Sequence, residues 1–327
     1  MKSKIKFNLN LIRNPRTLSM LGQSGAILGF ELYELAKLSK NDYFVTTADY
    51  GIPAGASRFK TLLPNNYINC GIAEQNMIGV AAGIASNGAK SIAVAQACFI
   101  SMRSFEQIRQ YCGYMNLPII MIGVSSGFAL QFFGNTHYAL EDVSLMNLIP
   151  NVRVFTPSDA LSAIHCFHLA LKSDNPSYIR CTGGVRAQII YQDLNEISGS
   201  FKKHGSGNEL AIISSGSISS NAINAKNLSD YGKNITIFDI FDFKSLDKEF
   251  FDEISLFSKV LIIEEHASEN GIGDYINKKL KDMKITVQQP NIPVFEHQVG
   301  TREFQLKRFG LDAGGLANTI KLFICDK

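Results

Sequence analysis

Three loops that follow runs of β-prone residues contain polar residues that a hydrophobic core does not require. These residues are Asp49 in the first loop, Glu74 in the second and the segment from Ser125 to His137 in the third. The carboxyl ends of parallel strands lie at one edge of a sheet, so we expect the three loops to converge on one crevice. The last of them is a thirteen-residue loop rich in aromatic residues, and connections of that length more often have a functional role than a structural one. The sequence therefore predicts a binding or catalytic site at this edge.

Glu74 is the carboxylate around which the other candidates are arranged. It stands at the start of a predicted helix, after the β-prone run 67–70 and before a stretch of small residues. One interpretation is that an acidic residue in the first helical turn interacts favourably with the helix dipole. The other is that a carboxyl group at a buried interface takes part in proton transfer. The residues alone leave both interpretations open.

Alternating strand and helix patterns identify the elements that would hold these residues. In the first part of the chain we predict strands at 43–47, 67–70, 91–97, 118–124, 152–156 and 177–182, with helices at 18–38, 73–87, 101–113, 139–147 and 158–173. In the second part we predict strands at 209–214, 234–240, 259–264 and 284–289, with helices at 217–229, 247–255, 272–282 and 312–323. Strand runs such as Ile119 to Ile122 are continuously apolar, which is typical of parallel strands buried on both faces.

The predicted fold class is α/β with two domains, each a mainly parallel sheet flanked by helices. A chain of 327 residues is long enough for about two cores. A polar connection runs from Gly183-Gly184 to Gly205-Ser206-Gly207, and we place the domain boundary within it. The expected domains are residues 1–190 and the smaller unit 191–327.

Composition excludes several classes of protein. No run of eighteen apolar residues is present to span a bilayer, and no secretory signal follows the basic N-terminus, so we expect no membrane partner and a cytoplasmic location. The net charge of +3 is dispersed, which argues against nucleic acid as a partner. The six cysteines lack a Cys-x-x-Cys pair and the six histidines lack metal-ligand spacing, so no metal ligands are predicted.

The motifs that contain these candidates resemble the transketolase family over roughly residues 18 to 323. The most specific is Gly71-Ile72-Ala73-Glu74-Gln75-Asn76. The first part of the chain also contains the pair Ala48-Asp49, the run Gly134-Asn135-Thr136-His137 before Ala139-Leu140-Glu141-Asp142, Ile149-Pro150-Asn151 and Thr156-Pro157-Ser158-Asp159. The second part contains Ser214-Ser215-Gly216-Ser217, Ser245-Leu246-Asp247 and Glu264-Glu265-His266 before Gly271-Ile272-Gly273. More narrowly, the chain resembles the C-terminal half of a split transketolase, with a pyrimidine-binding domain and a C-terminal domain.

The resemblance implies a site for thiamine diphosphate. The glutamate that matches Glu74 hydrogen-bonds the aminopyrimidine ring of this cofactor and favours the tautomer that activates it, so that the cofactor carries the difficult chemistry. Asp49 and Ile72 match other cofactor contacts. The aromatic pocket for the pyrimidine matches Phe99, Met102 and Phe105, although side chains at this spacing are also what plain helix core would show.

The resemblance also implies a partner. The family holds a divalent cation, Mg²⁺ or Ca²⁺, with a Gly-Asp-Gly motif and a distant Asn, which are oxygen ligands suited to hard cations. This sequence has no such motif. We therefore expect a partner subunit that carries the diphosphate-binding domain and most of the cation ligands, in an α2β2 assembly with its cofactors at subunit interfaces.

Departures from the family pattern concern the substrate. The loop histidine of ordinary transketolases falls at Ser125, the aspartate of their Asp-Gly-x-Thr-His sequence falls at Phe133, and the leucine after the upstream aspartate is Tyr50. These changes remove a cation and a carboxylate, and they favour a less hydroxylated, bulkier or nucleotide-linked sugar. His137 is retained and is expected to exchange protons with a substrate oxygen. Arg180 matches an arginine that binds substrate phosphate, with a surface ion pair as the alternative.

The resemblance leads to a transketolase subunit that transfers a two-carbon ketol unit between sugars, with Glu74 and His137 as its catalytic residues. The enzymatic alternatives are a deoxyxylulose phosphate synthase-like subunit and the β subunit of a 2-oxo acid dehydrogenase. Gln75-Asn76 after the glutamate favours transketolase. A third alternative is a catalytically idle partner that stabilises an active homologue, and the retained glutamate argues against it.

Overall fold

The first half of the chain forms a six-stranded sheet in which every strand pair is parallel. The computed structural model describes residue 7, residues 11–182 and residues 188–325. The strands are β1 (Tyr43–Thr47), β2 (Tyr67–Asn69), β3 (Lys90–Gln96), β4 (Ile120–Val124), β5 (Arg153–Phe155) and β6 (Ser177–Cys181). Their order is β2-β1-β3-β4-β6-β5. The carboxyl ends of β1, β2 and β4 therefore lie at one edge, as the sequence predicts.

Helices cover both faces of this sheet. They are α1 (Pro15–Gly25), continued by a π-helical turn (Ala26–Glu31) into α2 (Leu32–Leu38), then α3 (Ser57–Leu62), α4 (Glu74–Ser86), α5 (Phe105–Ile108) between π-helical turns at Phe99–Arg103 and Arg109–Tyr114, α6 (Asp142–Asn147) and α7 (Ala160–Lys172). Helix α7 begins with a capping box, because the Asp159 carboxylate accepts the Ser162 N–H while the Ser162 hydroxyl group bonds the Asp159 N–H.

The second half forms a five-stranded sheet that is mixed. Its strands are β7 (Phe201–His204), β8 (Leu210–Ser215), β9 (Ile235–Ile240), β10 (Lys259–Ile263) and β11 (Thr286–Gln288), in the order β11-β10-β8-β9-β7. Only β7 runs antiparallel, against β9. The helices are α8 (Ser219–Leu228), α9 (Lys248–Ile254), α10 (Ile272–Leu280), α11 (Arg302–Arg308) and α12 (Ala313–Cys325). Two sheets flanked by helices confirm the predicted fold class.

Most differences from the predicted elements are short segments. Strand β7 and helices α3 and α11 are absent from the prediction, and the helix predicted from residue 139 begins at Asp142. The helix predicted at 18–38 is interrupted at Gly22, whose φ of 71° is not helical. The start of the predicted domain connection, Gly183-Gly184, lies outside the described residues, and the boundary at 190/191 stays a prediction.

The two sheets are joined by backbone bonds and by shared apolar core. Phe155 bridges to Asp242, and the Thr156 N–H donates to the Phe241 carbonyl oxygen at 2.9 Å. One buried cluster contains side chains from both sheets, among them Tyr178 and Ile213. The extensive shared core holds the two halves in a fixed relation.

Among the described residues, no helix is long and apolar enough to cross a bilayer.

Candidate active site

Glu74 is the first residue of α4 and only 2% of its surface is exposed. The turn before it requires Gly71, whose φ of 71° lies in the left-handed region that favours glycine. Carboxylate oxygen Oε2 accepts a hydrogen bond from Nη1 of Arg103 at 2.7 Å. Within the described part of the chain, oxygen Oε1 accepts no hydrogen bond. The carboxylate is thus held by one oxygen, and the other is available to a ligand.

Arg103 connects Glu74 to an aromatic side chain. Its guanidinium lies over the Phe99 ring, 4.1 Å from the centroid, and its carbonyl oxygen accepts a hydrogen bond from Gln75 Nε2 at 3.2 Å. Sequence reasoning missed this arginine. The available signal was its place four residues after Phe99, where a helical neighbour falls on the same face.

The predicted pyrimidine stripe is only partly brought to the site. Phe99 to Arg103 form a π-helical turn and α5 starts anew at Phe105, so the three side chains do not share one α-helical face. Phe99 contacts His137, with ring centroids 5.2 Å apart. Met102 is 39% exposed, whereas Phe105 packs against the core cluster that includes Met77 and Ile108. The structure therefore places Phe99 beside His137, whereas Phe105 is half-buried against a core cluster, and its predicted contact with the cofactor stays a prediction.

His137 lies beside both Phe99 and Phe133, and its ring centroid is 4.7 Å from that of Phe133. The Thr136 hydroxyl group donates to the Phe133 carbonyl oxygen at 3.0 Å, so the hydroxyl oxygen is left to accept from His137 Nδ1 at 2.8 Å. This network places the ring proton on Nδ1 and leaves Nε2 as a proton acceptor. Phe133 is 63% exposed and forms an aromatic surface next to that imidazole.

The loops after β1, β2 and β4 are linked to one another by hydrogen bonds. Asn69 Nδ2 donates to the Asp49 carboxylate at 3.0 Å, while its Oδ1 accepts the N–H groups of Asp49 and Gly71 at 3.0 and 3.1 Å. The hydroxyl oxygens of Tyr50 and Ser125 are 3.4 Å apart. Asp49 and Ser125 both have positive φ, 56° and 61°, a strained conformation that clusters at functional sites. Asp49 is thus engaged with Asn69, which sequence reasoning did not single out.

Arg180 is buried inside the chain, with 4% of its surface exposed. Its Nε donates to both carboxylate oxygens of Asp142, at 3.0 and 2.9 Å, and its Nη2 donates to the carbonyl oxygens of Ala139 and Glu265. Burial opposes the charge, but the Asp142 carboxylate holds the pKa of Arg180 above its ordinary value. The alternative of a surface ion pair is therefore wrong. These contacts give the predicted phosphate contact no support.

The residues around Glu74 suit an aminopyrimidine ring. A buried carboxylate oxygen is available for the polar edge of such a ring, and Phe99, Met102 and the 78% exposed Ile72 offer apolar surface for its faces. Among the described residues, no group of three or more His, Cys, Asp or Glu side chains is arranged to hold a metal ion. The described residues around Glu74 thus fit the pyrimidine half of thiamine diphosphate.

Comparison with known proteins gives matches over both halves. Residues 28–184 match the transketolase pyrimidine-binding domain, and residues 199–316 match the transketolase C-terminal domain. The chain is 28% identical to a subunit of the apulose-4-phosphate transketolase of Phocaeicola vulgatus over 297 residues, covering 90% of this chain and 95% of that protein. It is 26% identical to a 6-deoxy-6-sulfo-D-fructose transketolase subunit of a Clostridium species over 284 residues, covering 85% of this chain and 88% of that one.

A solved structure agrees with these relatives. It is described as a split gene transketolase in an inactive β4 tetramer, and it superimposes with a TM-score of 0.81 at 27% identity, covering 92% of this chain and 97% of that chain. The matches in sequence and in structure together show that the chain belongs to the transketolase family, of which it comprises the pyrimidine-binding and C-terminal domains.

Proposed function

We propose that this protein is the pyrimidine-binding subunit of a two-component, thiamine diphosphate-dependent transketolase that transfers a two-carbon ketol unit between sugars. The observation that carries the proposal is the geometry of Glu74, whose buried carboxylate has one oxygen bonded to Arg103 at 2.7 Å. Its relatives are transketolase subunits that match this chain over nearly their whole length. They make the deoxyxylulose phosphate synthase-like alternative the weaker one.

Glu74, Phe99 and Ile72 are the residues that would hold the cofactor. When bound, thiamine diphosphate supplies a nucleophilic carbon that no side chain can provide. Glu74 Oε1 would share a proton with the pyrimidine edge, and Arg103 fixes the orientation of that carboxylate. The Arg103 guanidinium covers one face of the Phe99 ring at 4.1 Å, so the remaining ring surface of Phe99 would supply apolar contact to the pyrimidine. Asp49 would act through the loop that Asn69 ties to Gly71.

His137 is the residue proposed to move a proton on the sugar. Its Nδ1 is engaged with Thr136, so Nε2 is the atom that can accept a proton from a substrate hydroxyl group or return one to a carbonyl oxygen. Phe99 and Phe133 both contact its ring and restrict its plane. The imidazole is thereby held in one orientation before substrate arrives.

The other half of the site is proposed to lie on a partner subunit. A solved β4 tetramer of a split gene transketolase is described as inactive, which fits a β chain that needs a second subunit. We propose a cytoplasmic α2β2 assembly. In it, the partner binds the diphosphate and supplies most of the ligands of the Mg²⁺ or Ca²⁺ ion.

The substrate is proposed to be a sugar other than the common pentose phosphates. Ser125 stands where the family pattern has a histidine, and its hydroxyl oxygen is 3.4 Å from that of Tyr50, while the exposed ring of Phe133 stands where the pattern has an aspartate. The relatives named above act on apulose-4-phosphate and on 6-deoxy-6-sulfo-D-fructose. Aromatic surface of this kind suits a sugar with fewer hydroxyl groups or with a bulky substituent.

The test is to co-express the chain with the product of its neighbouring gene, and then measure thiamine diphosphate binding and ketol transfer from a panel of ketose phosphates and nucleotide sugars. Glu74→Gln is expected to lower ketol transfer by at least about 100-fold, the usual scale of a lost proton-transfer group. Glu106→Gln is the matched control, because Glu106 also pairs with an arginine, Arg109, but lies on the exposed surface.

Each outcome separates the proposals. Unchanged cofactor binding and unchanged turnover in Glu74→Gln would refute the role given to Glu74. That result would also favour the idle-partner alternative, in which this chain contributes no catalytic group. An equal loss in Glu106→Gln would show that the effect is structural rather than local.

A further inference from the structure

The loop that carries His137 is hydrogen-bonded near both of its ends to residues of the second half of the chain. Near its start, the Phe128 N–H donates to Glu265 Oε1 at 2.9 Å. Near its end, the Asn135 side-chain oxygen Oδ1 accepts the Glu296 N–H, also at 2.9 Å. The loop belongs to the six-stranded sheet, whereas both partners follow strands of the five-stranded sheet.

The first contact is a buried anchor. Glu265 is 2% exposed, and Arg302 donates to its carboxylate from both Nε and Nη2. Phe128 is fully buried and stacks on Phe309 with ring centroids 5.8 Å apart and planes inclined by 7°. A substitution of Phe128 or Glu265 would disturb the buried core. Such a variant could not distinguish an effect on the position of His137 from an effect on folding.

The second contact is at the surface and next to the imidazole. Asn135 is exposed and lies two residues before His137, with Thr136 between them bonded to the ring. Its donor is fixed, because Glu296 is ion-paired to Arg308 and its carboxylate accepts the Gln298 N–H at 2.6 Å. The oxygen of Asn135 is therefore held by a segment that is itself constrained.

Backbone packing reinforces this contact. Gly134 has a φ of 67°, and a Cβ placed on it would lie 2.9 Å from a methyl carbon of Val299. The turn before Asn135 thus lies directly against the segment 296–300. The His137 N–H donates back to the Gly134 carbonyl oxygen at 2.9 Å, so the position of His137 depends on where that turn is held.

We propose that Asn135 is a positioning residue, through which the segment at Glu296 sets the place of His137 relative to the sugar. The inference rests on the role proposed for His137. If Asn135 has this role, the C-terminal half of the chain affects catalysis although none of its side chains takes part in the reaction. An error of about 1 Å in the placement of a reacting group can cost up to about 100-fold in rate, so a single exposed hydrogen bond can matter here.

The experiment uses the full chain assembled with its partner subunit. Asn135→Ala removes the acceptor, and we expect kcat/KM to fall by about tenfold with the affinity for thiamine diphosphate unchanged. Asn135→Asp keeps an oxygen at the same place and should recover most of that loss. In a His137→Ala background, Asn135→Ala should have no further effect, because residues that act through one group are not additive.

A second measurement does not depend on activity. Hydrogen–deuterium exchange of peptides spanning 128–138 should be faster in Asn135→Ala than in the unmodified chain, and slow again in Asn135→Asp. Unchanged exchange together with unchanged kcat/KM would overturn the inference. So would a tenfold loss that persists in the His137→Ala background, since the asparagine would then act independently of the histidine. If His137→Ala alone had no effect, the role of His137 would fail and this inference with it.

Discussion

Replacing Asp239 with asparagine should remove a pH dependence from the stability of this protein. Asp239 is fully buried on β9 and joins the two halves of the chain through three hydroxyl donors. Ser158 Oγ and Tyr191 Oη donate to its Oδ2 at 2.6 Å, and Ser219 Oγ donates to Oδ1 at 2.7 Å. Burial raises the pKa of Asp239 to about 7, even though these three hydrogen bonds favour the ionised form.

The sign and size of the effect follow from proton linkage. Between the ordinary aspartate pKa of about 3.9 and about 7, the folded chain keeps a proton that the unfolded chain releases. Stability therefore falls as pH rises through this window and levels off above it. From pH 8 to pH 5 the native carboxyl becomes protonated, and only the two pH units below about pH 7 contribute. At 1.36 kcal/mol per unit this stabilises the folded state by about 3 kcal/mol.

The assay is urea unfolding followed by circular dichroism at several values between pH 5 and pH 8, since the chain has no tryptophan. The free energy of unfolding of the unmodified chain, minus that of Asp239→Asn, should rise by about 3 kcal/mol toward pH 5. Asp252→Asn is the control, because that carboxylate is 62% exposed, and its difference should stay flat. If the Asp239→Asn difference were also flat, the carboxyl group would not titrate in this window and the reasoning would be refuted.

Three further substitutions address the site and the contact between the sheets. Phe133→Asp restores a carboxylate beside His137 and should raise kcat/KM for common ketose phosphates by about tenfold relative to bulkier sugars, measured over the sugar panel. Arg180→Met leaves Asp142 buried without its cation and should lower the free energy of unfolding by about 3–5 kcal/mol, measured with urea. Arg103→Met releases the carboxylate of Glu74 and should weaken thiamine diphosphate binding by about tenfold, the scale of one hydrogen bond to a charged group, measured by calorimetry with the assembled enzyme.

Matched controls make these three expectations decisive. An unchanged sugar preference in Phe133→Asp, with Phe132→Asp equally inert, would remove the substrate hypothesis. For the arginines, Arg109→Met serves as the control because its pair with Glu106 is exposed. A loss in Arg180→Met no larger than in this control, or an equal loss of cofactor affinity in both the Arg103 and Arg109 variants, would contradict the arguments from burial and from contact.

The sheets could largely be predicted because their strands are buried on both faces. A run such as Ile120 to Val124 is apolar throughout, and a short apolar run between turn residues is typical of a buried strand. Strand β7 lacks that signal, since Phe201–His204 is an edge strand with two lysines. The π-helical turn at Phe99 has no sequence signature either, and it interrupts the regular helix that the predicted spacing of Phe99, Met102 and Phe105 assumes.

The arrangement of the candidate site could be predicted where one short segment carries its residues, and could not be predicted where distant segments meet. Glu74 and His137 stand in compact motifs and at the ends of strands, so their approximate location follows from chain order. The pairing of Glu74 with Arg103 depends on how α4 packs against the following turn. The hydrogen bond from the Glu296 N–H to the Asn135 side chain joins residues 161 positions apart. No local sequence pattern in either segment predicts it.

The buried contacts of Arg180 bear on how substrate reaches the site. Its guanidinium is bonded to the Glu265 carbonyl oxygen at 2.8 Å, so a hinge opening between the two sheets would strip a partner from a buried charge and expose a continuous apolar core. Such gating would be costly in free energy. In the proposed two-component enzyme, we therefore expect sugar entry to depend on loop movement or on the interface with the partner, and we expect substitutions that alter access to lie in the loop 125–138 rather than at the junction of the two sheets.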